Sequence, residues 1–142
     1  MIYSSALQAK RALEKAWRWP NFTIAELCCR YGGKFCEGAY WHSPEFLDAL
    51  QALRGRMDRP LMITSGHRCR LWNAAVGGAP HSMHKSIAVD ISLAGHDRFS
   101  LLASADAFGF TGVGLAKSFI HLDRRAAPAQ WYYRGSRSLW QT

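Results

Sequence analysis

His81-Ser82-Met83-His84-Lys85-Ser86-Ile87-Ala88-Val89-Asp90-Ile91-Ser92 is the stretch on which the reading of this chain turns. Its first half is polar and bendable and carries two histidines. From Ile87 onward, β-branched residues at 87, 89 and 91 alternate with Ala88, Asp90 and Ser92, the period-two pattern of a half-buried strand. Asp90 therefore faces away from the apolar side. A carboxylate between Val89 and Ile91 is costly to bury unless it is paired or bound to a cation. Further on, Phe119-Ile120-His121-Leu122-Asp123 repeats the alternation. Phe119, His121 and Asp123 share one face of that strand, while Ile120 and Leu122 pack behind.

His84, Asp90 and His121 together make a donor set of the kind that holds a metal through three protein ligands and leaves one position open. Two imidazoles and a carboxylate favour Zn²⁺ over magnesium or calcium, which prefer all-oxygen shells, with manganese or iron as the alternatives. A single histidine in a strand is more often a hydrogen-bonded surface or core residue. Three candidates with suitable flanking strands are what give the metal reading its weight.

Outward from this stretch the chain alternates helices and strands. Ser43-Pro44-Glu45 is a helix start with a serine cap and proline in the first turn, and Phe46, Leu47, Leu50, Leu53 and Met57 follow at helical spacing. Leu61 to Ser65 reads as a buried strand leading to a turn at Gly66. Arg70 to Val76 reads as a short helix ended by Gly77-Gly78. After His96-Asp97 comes a second long helix through Phe99, Leu101, Leu102, Ala105 and Phe108, closed by Gly109. Gly112–Leu115 and Ser118–Asp123 form a strand pair. Near the start, Thr23 caps a brief helix over Ile24–Leu27, which Tyr31-Gly32-Gly33 ends. The opening residues, through Arg18, alternate Ala and Leu with Lys, Arg and Glu and predict a short amphipathic helix. The pattern predicts one α+β domain over 1–142, with 1–20 as an N-terminal helical extension. Its small central antiparallel sheet carries the metal ligands, with helices packed against it.

The 142 residues, 49% hydrophobic and 13% aromatic, can bury one core but hardly two. Eighteen Lys and Arg against ten Asp and Glu give a formal charge of +8, which draws anionic partners. The basic residues are scattered, with no contiguous stripe of the kind that tracks nucleic acid. No apolar run suits a secretory leader or approaches the roughly 18 residues of a membrane span. Cys28, Cys29, Cys36 and Cys69 show no paired Cys-x-x-Cys spacing, so structural thiols are the reading, with a disulfide to the 28–29 pair as the alternative.

Several pieces in this order carry a resemblance. They are Ile63-Thr64-Ser65-Gly66-His67-Arg68, Asn73 to Gly78, Ser82-x-His84 followed by Ala88-x-Asp90, and Phe119 to Asp123, with the helix from Pro44 also fitting. The chain resembles the zinc D-alanyl-D-alanine carboxypeptidase family, including its phage-type and gene-transfer-agent-type peptidoglycan peptidases, to whose fold the hedgehog signalling domain is related. The resemblance implies zinc on His84, Asp90 and His121 and hydrolysis of a peptidoglycan stem-peptide bond. The bond is either the terminal D-Ala-D-Ala link or one such as L-alanyl-D-glutamate. It implies Arg68 as the group that engages a substrate carboxylate or the polarised carbonyl, for which its planar fork is suited. A surface salt bridge is the alternative for Arg68. Ser82 is a candidate for substrate binding or for orienting the site, and a plain turn residue otherwise.

Two departures from the family pattern stand out. His84 and Asp90 are six residues apart where seven is commonest, so the loop is tighter. Ser118 stands three positions before His121, where many members carry an acid that acts as general base, and serine cannot do that work at neutral pH. Asp123 is the leading remaining acid, with support of a histidine or of Arg68 as its other role. His81 is a candidate for proton transfer or transition-state stabilisation, and an exposed loop histidine otherwise; His67 has the same ambiguity. His42 and His96 receive no chemistry. With no leader, such a peptidase would reach the wall as a component of a phage-like particle or as an endolysin released by another protein.

Two rivals remain. One is a zinc-bearing wall-binding or protein-binding module without turnover, for which Ser118 speaks. The other is a nucleic-acid-binding domain stacking bases on Trp17, Trp19, Trp131, Tyr132 and Tyr133; aromatic residues near chain ends more often cap a core.

Overall fold

The computed structural model describes residues 1–31 and 33–141. The chain opens with a two-residue strand, Ile2–Tyr3 (β1), rather than a helix. Helix Ala6–Leu13 (α1) follows, capped by the Ser5 hydroxyl, and then one 3-10 turn over Glu14–Ala16. The expected N-terminal helical extension is thus shorter and is anchored at its start. β1 pairs antiparallel with Tyr40–Trp41 (β2), and Ala9 of α1 is wholly buried. A strand of two residues offers no periodicity to read, and its partner lies far along the chain.

Thr23 and Glu26 form a reciprocal capping box at the start of Ile24–Leu27 (α2). The helix stops at Cys28, before the Tyr31-Gly32-Gly33 stretch expected to end it, of which Gly32 lies outside the described residues. Helix Pro44–Met57 (α3) begins where the Ser43 hydroxyl accepts the Phe46 N–H at 3.3 Å, and buries Phe46, Leu47, Leu50 and Leu53 along one face. Truncating a fully buried leucine such as Leu50 to alanine would cost about 2–5 kcal/mol. The next elements are Ile63–Ser65 (β3), Arg70–Ala75 (α4), a 3-10 turn at Met83–Lys85 and Val89–Ser92 (β4). They are followed by Arg98–Ala107 (α5), Gly112–Leu115 (β5), Phe119–Asp123 (β6) and Ala129–Tyr132 (β7).

The main sheet has five strands in the order β3-β4-β6-β5-β7. Its first three pairings are antiparallel, but β7 runs parallel to β5, so the sheet is mixed and larger than the small antiparallel one expected. The reason lies in the link from β6 to β7. Residues 124–128 step across the start of β5, where Ala129 N donates to Thr111 O at 2.9 Å and the Thr111 hydroxyl to Arg125 O. The chain thereby enters β7 beyond β5 and in the same direction.

The alternation read from sequence sets the two faces of the sheet. Val89, Ile91, Val113, Leu115, Ile120 and Leu122 enter one apolar core with the buried residues of α3 and α5, which pack on each other. Asp90, His121, Gly114 and Trp131 lie in one row across β4, β6, β5 and β7 on the opposite face. None of the helices among the described residues is long and apolar enough to cross a membrane.

Candidate metal centre

Strand register puts Asp90 opposite His121. His84 arrives from the Met83–Lys85 turn, which Ser82 caps by accepting the His84 N–H at 3.1 Å, while Arg68 N donates to His84 O at 2.6 Å. The three residues are 2–6% exposed. Their donor atoms form a near-equilateral triangle. His84 Nε2 is 3.1 Å from Asp90 Oδ1 and 3.1 Å from His121 Nδ1, and His121 Nδ1 is 3.3 Å from Asp90 Oδ1.

The far side of each imidazole fixes its tautomer. His84 Nδ1 lies 2.7 Å from Gly66 O, a carbonyl that can only accept, so this nitrogen carries the proton and Nε2 presents a lone pair. His121 Nε2 likewise donates to Asp123 Oδ2 at 2.7 Å, which bares Nδ1. In the neutral imidazoles, two lone pairs and a carboxylate oxygen then converge with no proton among them. That is an electrostatic conflict in a buried site, and a cation resolves it. Tetrahedral zinc with arms of 2.0–2.1 Å has ligand–ligand edges of about 3.3 Å, close to the separations found. The residues present fit zinc.

The carboxylates are tuned by the same contacts. Burial would raise Asp90, but His121 and His84, when they carry a proton toward it, reverse this by hydrogen bond and charge and hold it well below the usual carboxylate range. Asp123 is opposed by burial in the same way, and hydrogen bonds from His121 and Arg125 hold it well below that range. It has no exposure at all. Arg125 grips it through its backbone N–H (3.0 Å), Nε (2.9 Å) and Nη2 (2.6 Å). Asp123 therefore sits behind His121, tied up from every side, and does not line the cavity in front of the centre.

That cavity has a volume of about 520 Å³. Asp90 and His121 form part of its lining, and Arg68, His81, Ser82, Trp131 and Tyr133 stand around them. Arg68 is half-buried and spans the junction: Nε donates to Ser65 Oγ (3.2 Å), Nη1 to Asn73 Oδ1 (3.3 Å) and Nη2 to Asp90 Oδ2 (3.4 Å). His81 is exposed on the wall. His67 is buried with Nδ1 against Ser86 O at 2.6 Å, away from the cavity. His42 and His96 bond Tyr40 and Pro60 and also lie elsewhere. Ser118 sits exposed in the β5–β6 turn.

Three contributors escaped the sequence reading. Arg125 both holds Asp123 and stacks over Trp131, 4.8 Å from the ring centroid. Trp131 meets the His121 ring at 5.1 Å across β5, a contact allowed because Gly114 leaves the space a Cβ would take. Tyr133 completes that wall. The two-residue spacing of Arg125 from Asp123, which carries the alternation just past the end of β6, was the available signal for the first. The aromatic pair gave none, because β7 was not read as a strand. Trp17 and Trp19, by contrast, pack edge to face at 4.8 Å, with Trp19 buried, and offer no exposed stacking platform.

Three protein donors facing an open cavity are the arrangement of a catalytic rather than a structural zinc site, whose fourth position would be closed by protein. The class so defined is a metal-dependent hydrolase. A family model described as Peptidase M15 matches residues 20–123. The chain belongs to the Peptidase M15 family, which is a family of zinc metallopeptidases of the cell-wall hydrolase kind. No curated protein matches the chain.

Proposed function

We propose that this chain is a zinc-dependent peptidase of the D-Ala-D-Ala carboxypeptidase kind, a single catalytic domain that hydrolyses peptidoglycan stem-peptide bonds. The scissile bond is the terminal D-Ala-D-Ala link or an internal one such as L-alanyl-D-glutamate. The observation that carries the reading is the triangle of bare donor atoms on His84, Asp90 and His121 at a cavity that also presents Arg68.

His84, Asp90 and His121 would hold the zinc. When bound, zinc supplies Lewis acidity, lowering the pKa of a water to about 7 and polarising the scissile carbonyl. The chain's own groups do the rest. Arg68 has five N–H donors and three named partners, which leaves one hydrogen each on Nη1 and Nη2 for a substrate carboxylate or the developing oxyanion. Its three anchors fix the fork in place, so little freedom is lost on binding. His81, the exposed imidazole on the wall, receives the proton from the attacking water and delivers it to the leaving amine. Asp123 and Arg125 hold the His121 ring. Ser82 holds the turn that presents His84 and lies on the substrate side of it. Trp131 and Tyr133 give the stem peptide an apolar wall, and the +8 charge favours an acidic wall polymer. Delivery within a phage-like particle, or release by another protein, goes with this reading.

A second reading, a zinc-bearing wall-binding module without turnover, is favoured by one observation: neither Ser118 nor the gripped Asp123 offers a free carboxylate to the cavity. A synthetic stem pentapeptide incubated with the zinc-loaded protein separates the two. Release of D-alanine or of a cleaved stem, absent in His84→Ala, supports the peptidase; tight binding with the peptide intact supports the module.

A further inference from the structure

The vicinal cysteines part company in the fold. Cys28 is built into the apolar core, whereas Cys29, at the end of α2, faces Cys36 from the loop before β2 and Cys69 from the cap of α4. The sulfurs of Cys29, Cys36 and Cys69 lie within 4.8 Å of one another. Cys29 is buried, while Cys36 and Cys69 are partly open to solvent.

Each of the three sulfurs accepts a backbone N–H. Cys69 N reaches Cys29 Sγ at 3.4 Å, Ala39 N reaches Cys36 Sγ at 3.5 Å and Trp72 N reaches Cys69 Sγ at 3.3 Å. A donor aimed at sulfur favours thiolate over thiol. Three such donors around three converging sulfurs make a pocket for three negative charges, and so for a cation. A disulfide would use two of the sulfurs and strand the third, and all four cysteines are free.

We propose that Cys29, Cys36 and Cys69 form a second metal site, distinct from the His84/Asp90/His121 centre, that holds a zinc ion through three thiolates. Soft thiolate sulfur selects zinc over magnesium, calcium or manganese. Binding releases the three thiol protons to solvent. Partial exposure of Cys36 and Cys69 leaves the fourth position to water. The site ties two neighbouring positions, 29 and 36, to Cys69 at the start of α4. Cys69 directly follows Arg68, and His67 N already donates to Leu27 O at 2.9 Å. The metal therefore clamps the Arg68 turn to the end of α2, and its role is to position that arginine.

The test is zinc content of the full chain, purified under reducing conditions, with mercurial titration and intact mass. Cys69→Ser is the variant of choice, because serine keeps the α4 cap while removing a thiolate. The result expected is about two zinc ions per wild-type chain, one released by the mercurial, falling to about one in Cys69→Ser and Cys36→Ser and unchanged in Cys28→Ala. His84→Ala should lose only the other ion. Cobalt loaded in place of zinc should show thiolate charge-transfer absorption that Cys69→Ser abolishes. The proposal is overturned by wild-type zinc that resists the mercurial and is unaffected by Cys69→Ser. A mass showing a disulfide within the trio, with no thiol-held metal, overturns it equally. It stands apart from the peptidase reading: one ion lost in Cys69→Ser but kept in His84→Ala would uphold this site and sink the catalytic one.

Discussion

Gly112 of β5 faces Asp123 of β6 across the sheet, and the Asp123 carboxylate occupies the space where a Cβ on residue 112 would stand. The glycine lets the carboxylate lie flat against β5, where it meets His121 on one side and Arg125 on the other. Gly112→Ala must push it out. Overpacking of this kind costs about 1–3 kcal/mol, and loss of a ligand's supporting carboxylate weakens metal binding about 10–100-fold. Thermal denaturation and chelator competition for zinc check both effects, and a variant matching wild type in each would show that the contact carries nothing.

Asp123→Asn separates support from catalysis. The amide keeps the shape but gives up the charge, so zinc affinity should fall about 10–100-fold while turnover at saturating zinc stays within a few-fold. Collapse of kcat with affinity unchanged would instead make Asp123 the base.

Arg68→Lys should retain zinc and fold but lower kcat/KM about 100-fold or more, since an ammonium cannot replace the fork held by Ser65, Asn73 and Asp90. Steady-state kinetics beside metal analysis decide it.

His81→Gln removes the proton acceptor from the cavity wall and should lower kcat about 100-fold or more, with KM and zinc content little changed. An unaltered pH–rate profile in this variant would return His81 to the role of an exposed loop residue.

Stability should fall in mild acid. Burial holds both His42 and His67 below the ordinary histidine value. Their folded forms thus bind fewer protons than the unfolded chain. The contribution is complete above the unfolded value of about 6.5 and is lost as pH falls through the depressed folded values. Urea denaturation between about pH 7.5 and pH 5 should show the slope, and His67→Asn should flatten it.

What the sequence disclosed follows from the kind of signal each feature leaves. Asp90 and His121 were legible because strand alternation places them on a face by local spacing alone, and α3 because serine cap, proline and apolar periodicity agree. β7 was not: Ala129–Tyr132 follows a link that crosses β5, and only long-range pairing defines it. Without β7, Trp131 could not be placed beside His121, nor Arg125 between Trp131 and Asp123. The β1–β2 pair failed for the same reason, two residues finding partners about forty positions away. The thiol cluster was hidden most completely. Its members stand at unequal intervals with no Cys-x-x-Cys spacing, and the vicinal pair, which argued against a shared site, is split between core and cluster.

The central claim is zinc-dependent hydrolysis of the peptidoglycan stem. The most direct measurement strips the protein of metal, reloads it with zinc and incubates each form with purified sacculi, with the soluble products read by mass spectrometry. The account predicts D-alanine or stem-peptide fragments from the reloaded wild type only, and none from the stripped protein or from reloaded Asp90→Ala. Intact stems after incubation with fully zinc-loaded, folded wild type would contradict it.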